Sequence, residues 1–236
     1  MEQILGKVAP EAHHDSEHWM SVSDLMAGLM MLFLFISVAF MRYVHIEKEK
    51  IKEVAVAYQN TQVAIYNSLM EEFERDLAQW DAAIDRNTLA FNFKSPDILF
   101  AEGKIELRSQ FERILDDFFP RYLSVLDRYR DSIGDVRIEG HTSSVWNRET
   151  TPDDAYFNNM ELSQGRTRAV LRYAYELVPP GSPTRDWVRQ HIAAVGYSSS
   201  RLVLDERGAE DDARSRRVSF RVLTNAETQI RKILDE

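Results

Sequence analysis

VSDLMAGLMMLFLFISVAFMRYV, residues 22–44, decides the architecture of this chain. From Leu25 to Met41 it carries no charged side chain. At about 1.5 Å of rise per helical residue, that run is just long enough to cross the hydrocarbon core of a bilayer. Trp19 on one side, and Arg42 and Tyr43 on the other, stand where interfacial anchors stand. A cleaved signal peptide fits less well. The leader sets Lys7 against Glu2, Glu11, Asp15 and Glu17 instead of a basic stretch, and no small-x-small site follows Ile36. The segment reads as a retained anchor, with residues 1–20 as a cytoplasmic tail and 21–44 as the transmembrane helix.

The one acid in this helix is Asp24, at its edge. A carboxylate in lipid is costly and persists where it has a task or a partner. Asp24, Gly28, Met31 and Phe35 recur at i, i+4, i+7 and i+11, on one helical face. The small residue one turn after the acid lets a second helix approach closely. Two readings stand side by side. Ser21, Ser23 and Asp24 are all good N-cap residues ahead of an apolar helix. Alternatively, Asp24 is a buried functional acid that loads and releases a proton.

The remainder is water-soluble in character, and the formal net charge of -9 argues against a direct nucleic-acid partner, which requires a basic face. There is no cysteine, so disulfides, thiol nucleophiles and thiolate metal sites are excluded. From 45 to 87 the pattern is that of a helical stalk. Tyr66, Leu69, Phe73, Leu77, Trp80 and Ile84 recur at steps of three and four, and neither glycine nor proline occurs from Glu47 to Asp85. Its early part suits a paired stalk in a homodimer and its late part a helix docked on the following domain.

Beyond Asn87 the period changes. Leu89, Phe91 and Phe93 alternate as a strand, a turn falls at Glu102–Gly103, and a helix is predicted from Ser109 to Arg130. Val136 and Ile138 mark a strand with Arg137 and Glu139 facing away. A long loop, a helix from Glu161 to Leu177, a strand over 192–195 and a last strand through Val218, Phe220 and Val222 follow. The order is β-α-β-α-β-β, an α+β sandwich over 88–225 with helices on one sheet face, and 226–236 as a helical tail.

Two resemblances rest on these residues. The flank SVSDLMAGLMMLFLF resembles the membrane segment of MotB-type stator subunits, in which Asp24 matches the proton-accepting aspartate. ILFAEGKIEL, IEGHT, NMELSQGRTRAV, VGYSSSRLV and SRRVSFRV occur in the order and spacing of the OmpA-like peptidoglycan-binding domain. That resemblance implies a non-covalent grip on diaminopimelate through Thr142, Ser143, Asn159, Arg166 and Arg216. Arg166 is the ligand arginine of its LSxxR motif; read without the motif, it would instead pair with a helix neighbour such as Glu161 or serve only as a surface residue. A planar guanidinium fork suits the ligand carboxylate. The usual aspartate of GHTD is here Ser143, which cannot supply a charge to the ligand ammonium; Glu149, Asp153 or Asp154 are candidates to replace it. His141 reads as a structural hydrogen-bonding residue and Arg217 as a brace for the sheet.

Together the parts resemble the B subunits of the Zorya anti-phage systems, on the SDLMAGLMMLFLFI span, the GHTSSVW loop with its insertion before LSxxR, and the acidic leader. The resemblance implies a proton-driven motor of the inner membrane, with five copies of a polytopic A subunit ringed around two of this chain. The N-terminus would be cytoplasmic and the C-terminal domain periplasmic and wall-bound. Counting basic residues opposes that orientation, since Lys7 precedes the span and Arg42, Lys48, Lys50 and Lys52 follow it. A flagellar stator subunit and a passive wall anchor are the rival readings. No cofactor and no enzymatic centre is expected, and His13, His14 and His18 lack the further ligands that would complete a metal site.

Overall fold

The computed structural model describes residues 14–94 and 99–225. The tail before His14, with His13, and the predicted helical tail at 226–236 lie outside the described residues. The chain divides into two compact units at residues 53 and 54.

The described residues of the first unit form one helix, α1 (His14–Leu77 in full). Its most apolar window has a mean hydropathy of 2.2, and none of it is buried within the protein. Leu25, Met30, Phe33, Phe35, Phe40 and Met41 all stand exposed around the helix. A helix that is apolar on every side and lacks protein cover is built for lipid or for other helices within lipid. It is the one described helix long and apolar enough to cross a membrane.

The second unit is α+β. After the last turns of α1 come β1 (Ala82–Ile84), β2 (Ala90–Phe93), α2 (Ser109–Asp127), a 3-10 turn (Arg130–Ser132), β3 (Ile133–His141), α3 (Pro152–Glu176), α4 (Pro183–His191), β4 (Ile192–Gly196), a short α5 (Asp212–Ser215) and β5 (Arg217–Thr224). The sheet order is β1-β2-β5-β3-β4, antiparallel except for β3 beside β4. Ile65, Leu69 and Phe73 of α1 are fully buried at steps of four. Phe73 packs on Phe91 of β2 and Phe118 of α2, each at 5.3 Å between ring centroids. Arg121 of α2 ties the same helices, donating from Nε to Glu72 at 2.6 Å and from Nη2 to Asp76 at 2.9 Å.

Four sequence expectations need correction. The helix predicted as far as Asp85 stops at Leu77. Residues 78–81 turn, with Asp81 at φ 46°, and Ala82–Ile84 pairs with β2. Trp80 and Ile84 kept the helical spacing because they are covered by the same core, although they belong to a turn and a strand. The helix predicted to reach Arg130 ends at Asp127. α3 begins at Pro152, not Glu161, with the Thr151 side chain accepting from the Asp154 N–H and proline in the first turn. The helix α4 was missed, although Ser182 caps it in the same way.

Two glycines set how closely α3 lies on the sheet. A Cβ on Gly140 would stand 2.7 Å from Thr167 Cγ2 and 2.8 Å from the Ser163 carbonyl oxygen; on Gly196 it would meet the Gln164 nitrogen at 2.6 Å. Gly140→Ala is expected to lower the unfolding free energy by about 1–3 kcal/mol, as overpacking does. Chemical denaturation of the detergent-solubilised chain checks this; an unchanged midpoint would show that α3 can lift without cost.

Candidate functional site

Asp24 lies inside α1, which already runs from His14. The free N–H groups of the first turn are therefore upstream, and the capping reading of Ser21, Ser23 and Asp24 has no helix end to cap. The carboxyl-bearing face is open. Asp24 is exposed, Met31 and Phe35 are about two-thirds exposed, and a Cβ on Gly28 would meet no atom within 4 Å.

The second unit gathers the other predicted residues. Thr142, Ser143, Asn159, Arg166 and Arg216 all line one cleft of about 120 Å³, with Glu102, Gly103, Val145, Trp146 and Leu162. Each is placed by a different element. Thr142 and Ser143 follow the end of β3, and the Thr142 N–H donates to the Ser198 carbonyl at 3.0 Å. Asn159, on α3 and 3% exposed, donates its amide to the carbonyls of Ser143 (3.2 Å) and Val145 (3.4 Å), so it shapes the loop from beneath. Arg166 projects from the next turns of α3. It donates to the carbonyls of Lys104 (2.9 Å) and Ala101 (3.3 Å), and its guanidinium lies 4.8 Å from the Phe100 ring centroid. Arg216 follows α5 and donates to the Asp212 carbonyl.

The acids are not those expected. Asp153 and Asp154 occupy the first turn of α3, where Asp154 accepts the Thr151 hydroxyl, and neither they nor Glu149 lines the cleft. The carboxylate that does is Glu102, carried on the loop that Arg166 braces. A second acid, Glu210, accepts the Ser144 N–H at 2.8 Å and the Ser144 hydroxyl, fixing the loop after Ser143. Burial, and then the nearby Glu210, raises the Asp212 pKa. In the sequence Glu102 reads only as part of a turn, and Glu210 is not picked out. The turn before Glu210, with Asp205 accepting from the N–H groups of Arg207 and Ala209, was a readable signal.

With two arginines, one carboxylate, two hydroxyls and the apolar wall of Val145 and Trp146, the cleft presents both signs of charge to a small zwitterion. His141 is outside it. The imidazole is 5% exposed, stacks on Tyr197 at 5.2 Å and stands 3.6 Å from Glu139. Burial, with Arg217 and Arg201 adding, outweighs the pull of Glu139 and holds its pKa below the ordinary imidazole range. Arg217 donates to the carbonyls of Ser215 and Arg201, as a brace does.

No family model matches the chain. It is 61% identical to the Zorya protein ZorB of Escherichia coli, over the whole of both chains. Among solved structures it is similar to a MotB-like protein of Desulfovibrio vulgaris, at 23% identity over 73% of this chain and 94% of that one, with a TM-score of 0.48. The periplasmic domain of Helicobacter pylori MotB matches at 16% identity over 62% and 83%, with a TM-score of 0.41.

Proposed function

The chain belongs to the ZorB family of Zorya proteins, and from that premise we propose that it is the wall-anchored subunit of an ion-driven motor in the bacterial inner membrane, acting in defence against phage. Two copies stand inside a ring of five polytopic A subunits. Asp24 accepts a proton on one side and releases it to the other. Each loading neutralises a charge and alters how the helix packs on its partner. The membrane field supplies about 2.3 kcal/mol per charge per 100 mV. The N-terminus faces the cytoplasm, and the second unit lies in the periplasm and holds peptidoglycan without cleaving it.

The observation that carries the wall-binding half is the convergence of Arg166, Arg216 and Glu102 with Thr142 and Ser143 on one cleft. Diaminopimelate offers a carboxylate and an ammonium together. The arginine forks suit the first. Glu102 takes the second, replacing the charge absent at Ser143. The test is sedimentation of the full chain, in detergent, with purified peptidoglycan sacculi and free diaminopimelate as competitor. Loss of one charge-assisted contact is expected to weaken binding about tenfold, in both Arg166→Ala and Glu102→Gln. Glu102→Gln leaves the backbone bonds to Arg166 in place, so its effect reports charge and not loop geometry. Unchanged sedimentation of both variants would remove the cleft from wall binding.

A further inference from the structure

The opposite face of the sheet carries a second cavity, of about 330 Å³, that wall binding does not use. It arises from strand alternation. Phe91, Phe220 and Ile138 share one row across β2, β5 and β3 and face the core; the adjacent row is Asn92, Ser219 and Glu139, and the row after the next pairs Arg217 with His141. Glu139 faces away from the core side of β3, as the alternation predicts, yet it is 3% exposed because the segment between β4 and β5 closes over it.

The charge around this cavity is unbalanced. Arg214 is paired with Asp211 at 2.6 Å. Among the described lining residues, Lys94, Arg201, Arg217 and Arg221 then stand against Asp85 and Glu139, a surplus of two positive charges (four cations less two carboxylates). Arg221 approaches Glu139 no closer than 3.8 Å, and its Nε is buried without a hydrogen-bond partner, as are Glu139 Oε1 and His141 Nδ1. Buried polar atoms left unpaired are costly, and the unpaired Arg221 Nε donor, in a cavity with surplus positive charge, marks a place for an acceptor. Burial and the neighbouring Arg201 also depress the Arg217 pKa, a strain that an anion would relieve.

We propose that this cavity binds a doubly charged oxyanion with the chemistry of a phosphate monoester or free phosphate, held by the guanidinium group of Arg221, with the positive charge of the braced Arg217 beside it. Guanidinium forks match tetrahedral phosphate oxygens, and the charge surplus equals that of a phosphate dianion. A phosphodiester lipid headgroup, with a single charge, leaves half the surplus uncompensated.

The test is titration of the full chain in detergent with inorganic phosphate, followed by calorimetry at constant ionic strength, with glycerol phosphate as the monoester and vesicles of phosphatidylglycerol as the diester source. Saturable binding of one phosphate per chain is expected, weakened at least about tenfold in Arg221→Gln. Arg221→Lys, which keeps the charge and loses the fork, is expected to fall between them and covers the case in which Arg221→Gln does not fold. Glu102→Gln is expected to bind phosphate as the parent does. Absence of saturable phosphate binding, equal binding by the parent and Arg221→Lys, or preference for the diester vesicles would overturn the proposal.

Discussion

Asp24→Asn is expected to abolish phage protection, to the level of cells lacking the subunit, while leaving the chain in the membrane and in complex with its A subunits. Asparagine has nearly the same volume and the same helical environment, but it cannot take up or release a proton. A charged aspartate costs about 2.5–3.5 kcal/mol at the centre of a membrane helix and less toward its edge, so neutralising it does not destabilise insertion. Nor does the substitution remove a cap, because α1 begins upstream at His14. A passive anchor would protect cells equally well with asparagine at this position. Plaque counts give the function, and co-purification with the A subunit gives the assembly.

Phe118→Ala is expected to be the most damaging core substitution. The Phe118 ring is fully buried and meets Phe91 at 4.6 Å, Tyr122 at 4.9 Å, Phe220 at 5.0 Å, Phe93 at 5.2 Å and Phe73 at 5.3 Å between centroids. It therefore joins α1, α2, β2 and β5 at a single point. Truncating such a residue costs about 3–5 kcal/mol, against a total domain stability of about 5–15 kcal/mol. Near-ultraviolet circular dichroism during denaturation should show the second unit unfolding far earlier than the parent. A loss below about 1 kcal/mol would mean that the neighbouring rings close over the void.

The parts of the fold that the sequence declared were those with one dominant signal. An uncharged run from Leu25 to Met41 has few alternatives to a membrane helix. Alternation at Phe91 and Phe93, and again at Val218, Phe220 and Val222, reads directly as strand. What escaped were elements whose signal was short or shared. Ala82–Ile84 has three residues and continues the spacing of the helix before it. The true start of α3 was written as Thr151, Pro152, Asp153 and Asp154, a capping signature hidden inside what read as loop. The cleft was legible through motifs in the residues that line it, and illegible in its supports. Ser144 and Glu210 are 66 positions apart, and Arg166 and Lys104 are 62, so only the folded chain brings them together. The second cavity was hidden for a similar reason, since alternation says that Glu139 leaves the core but cannot say that a later loop covers it.

Motor action of the kind proposed requires an ion to cross the membrane by way of Asp24. The direct measurement is acidification inside vesicles containing this chain and its A subunit, under an imposed membrane potential, with a pH-sensitive dye. The parent complex should acidify the lumen when the potential draws protons inward, and Asp24→Asn, reconstituted at the same density, should stay at the rate of empty vesicles. Equal acidification by both complexes would contradict the account.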